Sequence, residues 1–175
     1  GVCSECRRYD RYRERLDLYF RDQPALDRIF ADNGPKKRSE IDCLLLFSGG
    51  KDSTYVLHQL VNMGLKVVTF TFDNGFISPK AFENIHRVTN QLGVEHHTAT
   101  HDRMNEVFRE SMARHQTVCK GCFKALLDLS LTYADRRGIN VVLNGLSRGQ
   151  IIEERLKFFY DRNVALTDAN MSAMR

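Results

Sequence analysis

An α/β fold, a parallel sheet with helices on both faces, is what this sequence predicts, and three observations predict it. Short apolar runs at 41–47, 66–72 and 139–143, and a short strand-like run at 95–100, alternate with longer amphipathic runs, the order of strand and crossover helix that a parallel sheet requires. Glycines follow the helical runs at Gly64, Gly93 and Gly138, where a helix ends most cheaply. Three of the strands lead into glycine-bearing stretches, at 48–50, 75 and 145. In open α/β sheets ligands bind outside the carboxyl ends of the strands, near the switch point, so these three ends are expected to converge.

The chain of 175 residues fits one domain with a small appendage, and 42% hydrophobic residues suffice for a packed core. A net charge of +4 permits a nucleic-acid partner without demanding one. No apolar run approaches the ~18 residues of a membrane-spanning helix, and no signal-like segment opens the chain; the cytoplasm is the expected compartment. Of five cysteines, four form two CxxC pairs, which points to metal or redox chemistry rather than a disulfide framework. A chain that opens at Gly1 without methionine and stops at Arg175 in a helix-like run reads as a piece of a longer protein.

Residues 1–38 are expected to form an N-terminal segment. Cys3 and Cys6 are half of a tetrahedral zinc site, the other half lying upstream or in the second CxxC. From Arg7 to Phe20, Tyr9, Tyr12, Leu16, Tyr19 and Phe20 recur at helical steps, with arginines mostly off that stripe. Such a helix tracks RNA or, since acids are interleaved, docks on its own domain. A short helix follows from Pro24 to Ala31, then a turn and linker at 33–38.

The main α/β domain is expected over 39–160. Strand 41–47 leads into Ser48-Gly49-Gly50-Lys51-Asp52-Ser53 and a helix to about 63. This turn presents unpaired N–H groups at the positive end of a helix dipole, where a phosphate or pyrophosphate binds. Gly49 and Gly50 admit positive φ and close approach of an anion. Lys51 adds a point charge, Ser48 and Ser53 add hydroxyl donors, and Asp52 caps the helix or helps to hold Mg2+. Strand 66–72 ends in Asp73-Asn74-Gly75, locally an asparagine–glycine turn. Helices follow at 79–92, 102–115 and 123–137, with a short strand at 95–100. His96 and His97 are neighbours on that strand and point to opposite faces. Cys43 reads as a small core residue. Cys119 and Cys122, beside a helix start, read as an iron–sulfur ligand pair, a persulfide carrier or a zinc pair. After strand 139–143 come Asn144-Gly145 and Arg148, the last a phosphate contact or a surface arginine, and a helix to about 160. Residues 161–175 begin a C-terminal extension.

SGGKDS after a strand is not the Walker pattern. It resembles the PP-loop of the N-type ATP pyrophosphatases, whose Rossmann-like fold is called adenine nucleotide alpha hydrolase-like. That resemblance implies cleavage of ATP between the α and β phosphates and activation of an acceptor by AMP. It also implies that Phe72, Asp73, Asn74 and Gly75, with Phe76, bracket adenine, and that Asn144 and Gly145 lie against ribose and α-phosphate. Relatives with GHN-x-x-D carry an acid where this chain has Gly149 and Gln150, ahead of Glu153 and Glu154. Two narrower likenesses diverge. Cys119-x-x-Cys122 is similar to the CxxC of two-thiouridine and two-thiocytidine tRNA thiolases, although their third cysteine has no counterpart here. Residues 1–95, with Gly-Val-Cys-Ser-Glu-Cys and the PP-loop, look like N-acetyl sugar amidotransferases. The first implies an iron–sulfur cluster on Cys119 and Cys122 or sulfur delivery by them. The second implies zinc at Cys3 and Cys6. Expected partners are ATP, a small-molecule or tRNA acceptor, a sulfur- or ammonia-donor protein and a second copy in a homodimer; a membrane is not among them. An ATP-binding module without its own acceptor site is the remaining alternative.

Overall fold

The computed structural model describes residues 1–4, 6, 7, 9, 10, 13 and 20–151. The Tyr/Arg-rich helix expected over 7–20 and the segment beyond 151 fall largely or wholly outside these residues. The described elements are α1 (Gln23–Asn33), a 3-10 turn (Gly34–Lys36), β1 (Cys43–Leu46), α2 (Lys51–Asn62), β2 (Val67–Asp73), α3 (Pro79–Leu92), β3 (Glu95–Thr100), α4 (Met104–His115), α5 (Cys119–Arg136), β4 (Val142–Asn144) and α6 (Arg148–Ile151). Among the described residues no helix is long and apolar enough to cross a membrane.

The four strands form one sheet in the order β3-β2-β1-β4, and all pairings are parallel. The fold is the expected Rossmann-like α/β arrangement. The chain lays β1, β2 and β3 outward in sequence and then returns to place β4 on the free side of β1. The switch point therefore lies between β1 and β4, whose carboxyl ends carry the two glycine stretches 48–50 and 145.

Both faces of the sheet are covered, which explains the uninterrupted apolar run of β1. Leu44 and Leu46, in register with Val68 and Phe70, join Phe72, Met104 and Ala134 in one core cluster. The alternate residues Cys43, Leu45 and Phe47 are equally buried, as are Leu57, Leu60, Ile85 and Val88 from α2 and α3. Buried Thr71 donates its hydroxyl to the Phe47 carbonyl at 2.5 Å, tying β2 to the residue that precedes the glycine turn.

Helix ends follow local chemistry. Ser78 accepts from the Ala81 N–H at 3.2 Å with Pro79 next, and Gly93 ends α3 at φ +64. Several boundaries differ from expectation, among them β4, which spans Val142–Asn144 rather than 139–143. Helix α5 begins at Cys119 rather than near 123, with Val118 as its N-cap and no side-chain capping bond; just ahead of it the Cys119 N–H donates to Thr117 Oγ1 at 3.2 Å. Helix α4 begins at Met104, after a turn at 102–103.

Two compact units are distinguished, Asp32–Gly145 and the pair of segments Gly1–Ala31 with Leu146–Arg175. The first holds the sheet and α2 to α5. The second holds most of α1, Cys3 and Cys6, and α6; in it Asp22 Oδ1 accepts from the Ala25 N–H at 3.2 Å, and the Arg148 guanidinium stands 4.7 Å over the Phe20 ring.

Candidate functional site

The site begins where β1 gives out. Gly50 is the N-cap of α2, in extended conformation and without a side-chain capping bond. The first N–H groups of this twelve-residue helix are thus left for an anion. Gly49 is required twice over. Its φ is +71, and a Cβ there would meet Ile85 Cγ1 at 2.7 Å and the Ala81 carbonyl at 3.0 Å.

Hydroxyls and an amide hold this turn from beneath. Ser53, almost fully buried, lies 3.2 Å from the Gly50 carbonyl and 3.2 Å from Ser48 Oγ. Asn84 of α3 donates to the Gly49 carbonyl at 2.5 Å. Lys51 points away from the fold, its side chain 89% exposed, and its ammonium meets Asp52 Oδ1 at 2.6 Å. An exposed pair of this kind contributes little to stability and leaves the ammonium available to a phosphate.

The end of β4 closes on the same turn. A Cβ on Gly145 would stand 2.8 Å from Ser53 Cα and 3.0 Å from Ser53 N. Only glycine lets the chain after Asn144 lie against the first turn of α2. The structure thus brings Ser48, Gly49, Gly50, Lys51, Asp52, Ser53 and Gly145 together, with Asn144 immediately before.

The end of β2 forms the next wall of the same sheet edge. Asp73 Oδ1 accepts the Gly75 N–H at 2.9 Å and Asn74 Oδ1 accepts the Phe76 N–H at 3.0 Å. Gly75 has φ +85. Asp73 to Phe76, with His101 and Met104, line a cleft of about 310 Å³. Phe72 is 7% exposed and sits in the core cluster, so it offers the site its backbone and not its ring. The strand pleat decides this, since Phe72 shares a face with Val68 and Phe70. Phe76, 73% exposed, stands 5.5 Å from the Phe108 ring and is the aromatic free to meet a planar ligand.

The second CxxC reaches this loop. Asn74 Nδ2 donates to Cys122 Sγ at 3.3 Å, while Cys119 is exposed one turn earlier. The intervening backbone is pinned: Ser111 Oγ accepts the Gly121 N–H at 2.9 Å and donates to the Thr117 carbonyl at 2.6 Å. Cys3 and Cys6 belong to the other unit, where the Cys6 N–H donates to Cys3 Sγ at 3.3 Å; Arg148 belongs to it as well. Among the described residues no cluster of three or more His, Cys, Asp or Glu is placed to hold a metal ion. Each CxxC therefore supplies two thiols, short of the four ligands of a structural zinc site.

The remaining titratable groups mark the core. Burial, reinforced by the Asp42 carboxylate, pushes the Cys43 thiol up to about 12. Burial, with His86 and His97 nearby, pushes His96 down to about 4. His96 faces Thr69 Oγ1 at 2.9 Å, whereas the His97 ring stacks on Tyr133 at 4.3 Å, the two opposite faces that strand alternation dictates.

Asn84 and Ser111 carry no signal in the sequence, because each acts on backbone groups outside its own helix.

A family model described as queuosine biosynthesis protein QueC matches residues 42–151. Among curated proteins, an uncharacterised protein of Methanocaldococcus jannaschii is 26% identical over 114 residues, which is 65% of this chain and 41% of that protein. The chain thus spans about two fifths of the length of this relative. Among solved structures, the NH3-dependent NAD synthetase of Campylobacter jejuni has a TM-score of 0.48 at 16% identity, covering 87% of this chain and 75% of its own. The NMN synthetase of Francisella tularensis has 0.48 at 19%, covering 85% and 73%. A predicted subunit of a tRNA methyltransferase from M. jannaschii has 0.45 at 22%, covering 71% and 65%.

Proposed function

The chain belongs to the QueC family, within the PP-loop ATP pyrophosphatases, and from that premise we propose that it binds ATP at the 48–53 turn and adenylates an acceptor oxygen, which sulfur then replaces. The observation that carries the reading is the uncapped start of α2, held between Gly49 and Gly145 at the switch point. An ATP pyrophosphate seats on those N–H groups with Lys51 beside it. The acceptor oxygen attacks the α-phosphorus, the bond to the β-phosphate breaks, and pyrophosphate leaves. The same N–H groups and Lys51 stabilise its charge as it departs. The acceptor now carries AMP as a leaving group, and a sulfur nucleophile displaces it.

Asp52, whose carboxylate is 48% exposed beside the turn, is the group fit to help hold a magnesium ion, which when bound spreads the phosphate charge. The two cysteine pairs do not complete a metal ligand set among the described residues, and no step is routed through zinc or an iron–sulfur cluster. What favours sulfur over ammonia is the position of Cys122, within hydrogen-bond reach of Asn74 on the β2 loop. A thiol there lies at the carboxyl edge of the sheet, on the side from which an acceptor would enter. A tRNA or a small molecule is the acceptor class.

Incubating the anaerobically purified protein with Mg-ATP, sulfide and bulk tRNA, and assaying AMP, pyrophosphate and incorporated sulfur, tests this. Wild type is expected to form AMP and pyrophosphate in equal amounts, and Lys51→Ala to form neither while keeping its circular dichroism spectrum. Turnover surviving in Lys51→Ala would refute the phosphate assignment. Turnover that persists undiminished in Cys119→Ala/Cys122→Ala, with zinc retained and an N-acetyl sugar as acceptor, would move the reading to ammonia transfer, as the likeness of residues 1–95 to the sugar amidotransferases implies.

A further inference from the structure

Asn84 belongs to none of the motifs of the phosphate turn, yet its side chain holds that turn from outside. It lies half-buried on α3, thirty-five residues from the glycine it contacts. Its Nδ2 donates to the Gly49 carbonyl at 2.5 Å, and an Arg87 guanidinium nitrogen donates to its Oδ1 at 2.5 Å. The arginine fixes which end of the amide faces the turn.

The consequence follows from peptide geometry. A trans peptide unit points its C=O and N–H in opposite directions. With the Gly49 oxygen drawn onto α3, the Gly50 N–H of the same unit is turned to the other side, where it donates to Ser48 Oγ at 3.4 Å, a long bond that an anion would replace. The next unit is held the same way. The Gly50 carbonyl accepts from Ser53 Oγ at 3.2 Å and from the Thr54 N–H at 3.0 Å, so the Lys51 N–H faces out from the helix start. Carbonyls point into the fold and N–H groups point out, the polarity an anion needs. Residues 49 and 50 are both glycine, so no Cβ resists rotation of the peptide between them. Flipped, that unit would present an oxygen to the phosphate.

We propose that Asn84 is a positioning residue for the ATP pyrophosphate, locking the Gly49–Gly50 peptide with its N–H toward the anion. The inference rests on the reading of 48–53 as the phosphate site. The test measures the affinities of ATP and AMP by titration calorimetry for the wild type, Asn84→Ala and Asn84→Asp. AMP lacks the β and γ phosphates, so a lesion confined to the pyrophosphate seat weakens ATP alone. Asn84→Ala should weaken ATP about three- to ten-fold, the equivalent of one hydrogen bond, and leave AMP within about two-fold. Asn84→Asp sets a carboxylate oxygen against the Gly49 carbonyl and should weaken ATP further. Equal weakening of ATP and AMP would reduce Asn84 to a structural role, and unchanged affinities would remove it from the site; either overturns the proposal while leaving the nucleotide reading in place. A wild-type protein that binds ATP no more tightly than AMP would overturn the phosphate reading itself, and the role of Asn84 with it.

Discussion

Gly49→Ala separates the two reasons for a glycine at the head of the turn. The first is backbone conformation: at φ +71 an alanine costs about 1–2 kcal/mol. The second is space. The new methyl would stand 2.7 Å from Ile85 Cγ1, a side-chain atom able to yield, and 3.0 Å from the Ala81 carbonyl, which moves only with α3. Forcing atoms into such contacts costs about 1–3 kcal/mol. Together they come to ~2–5 kcal/mol, a fall in Tm of roughly 5–15 °C at this chain length. Gly64→Ala is the matched control, because φ is +76 and no atom lies within 4 Å of its missing Cβ. It should lose the conformational ~1–2 kcal/mol alone, and the gain from stiffening the unfolded chain cancels between the two variants. Urea titrations give both values. A Gly49→Ala loss no larger than that of Gly64→Ala would refute the packing of α3 against the turn, on which the orientation of the phosphate site depends.

Other outcomes follow from the same geometry. Ser111→Ala removes the hydroxyl bonded to Gly121 and Thr117 and should cost about 1–3 kcal/mol, with faster amide exchange over 117–122. His96 stays neutral in the fold down to about pH 4, below the ~6.5 of an unfolded chain. The unfolded state therefore takes up the proton first, and stability should fall as pH drops from about 6.5 to about 4 by ~1–3 kcal/mol; His96→Asn should flatten urea-derived stability over that window. Cys43 is fully buried, with its thiol pushed up to about 12, whereas Cys119 is exposed. A maleimide at neutral pH, followed by peptide mass mapping, should label Cys119 in the native protein and Cys43 only after denaturation.

The sequence by itself determined what depends on neighbouring residues. An apolar run, two glycines and an amphipathic run specify strand, turn and helix at 41–63, because pattern and φ are local properties. Ser78, Pro79 and Gly93 bracket α3 for the same reason, through bonds that reach no further than four residues. Tertiary structure decided the rest, because those contacts are made between residues far apart in the chain. The placement of β4 beside β1 brings Gly145 onto Ser53, and α3 brings Asn84 onto Gly49. Phe72 reads equally well as ligand or core until the packing of the β2 face that it shares with Val68 and Phe70 places its ring in the core. The Cys119 N–H meets the Thr117 hydroxyl just ahead of α5, and Cys122 meets Asn74 only because the β2 loop and α5 share one edge of the sheet. Side-chain type sets which groups are able to bind an anion; the order of the strands sets which of them face the same one.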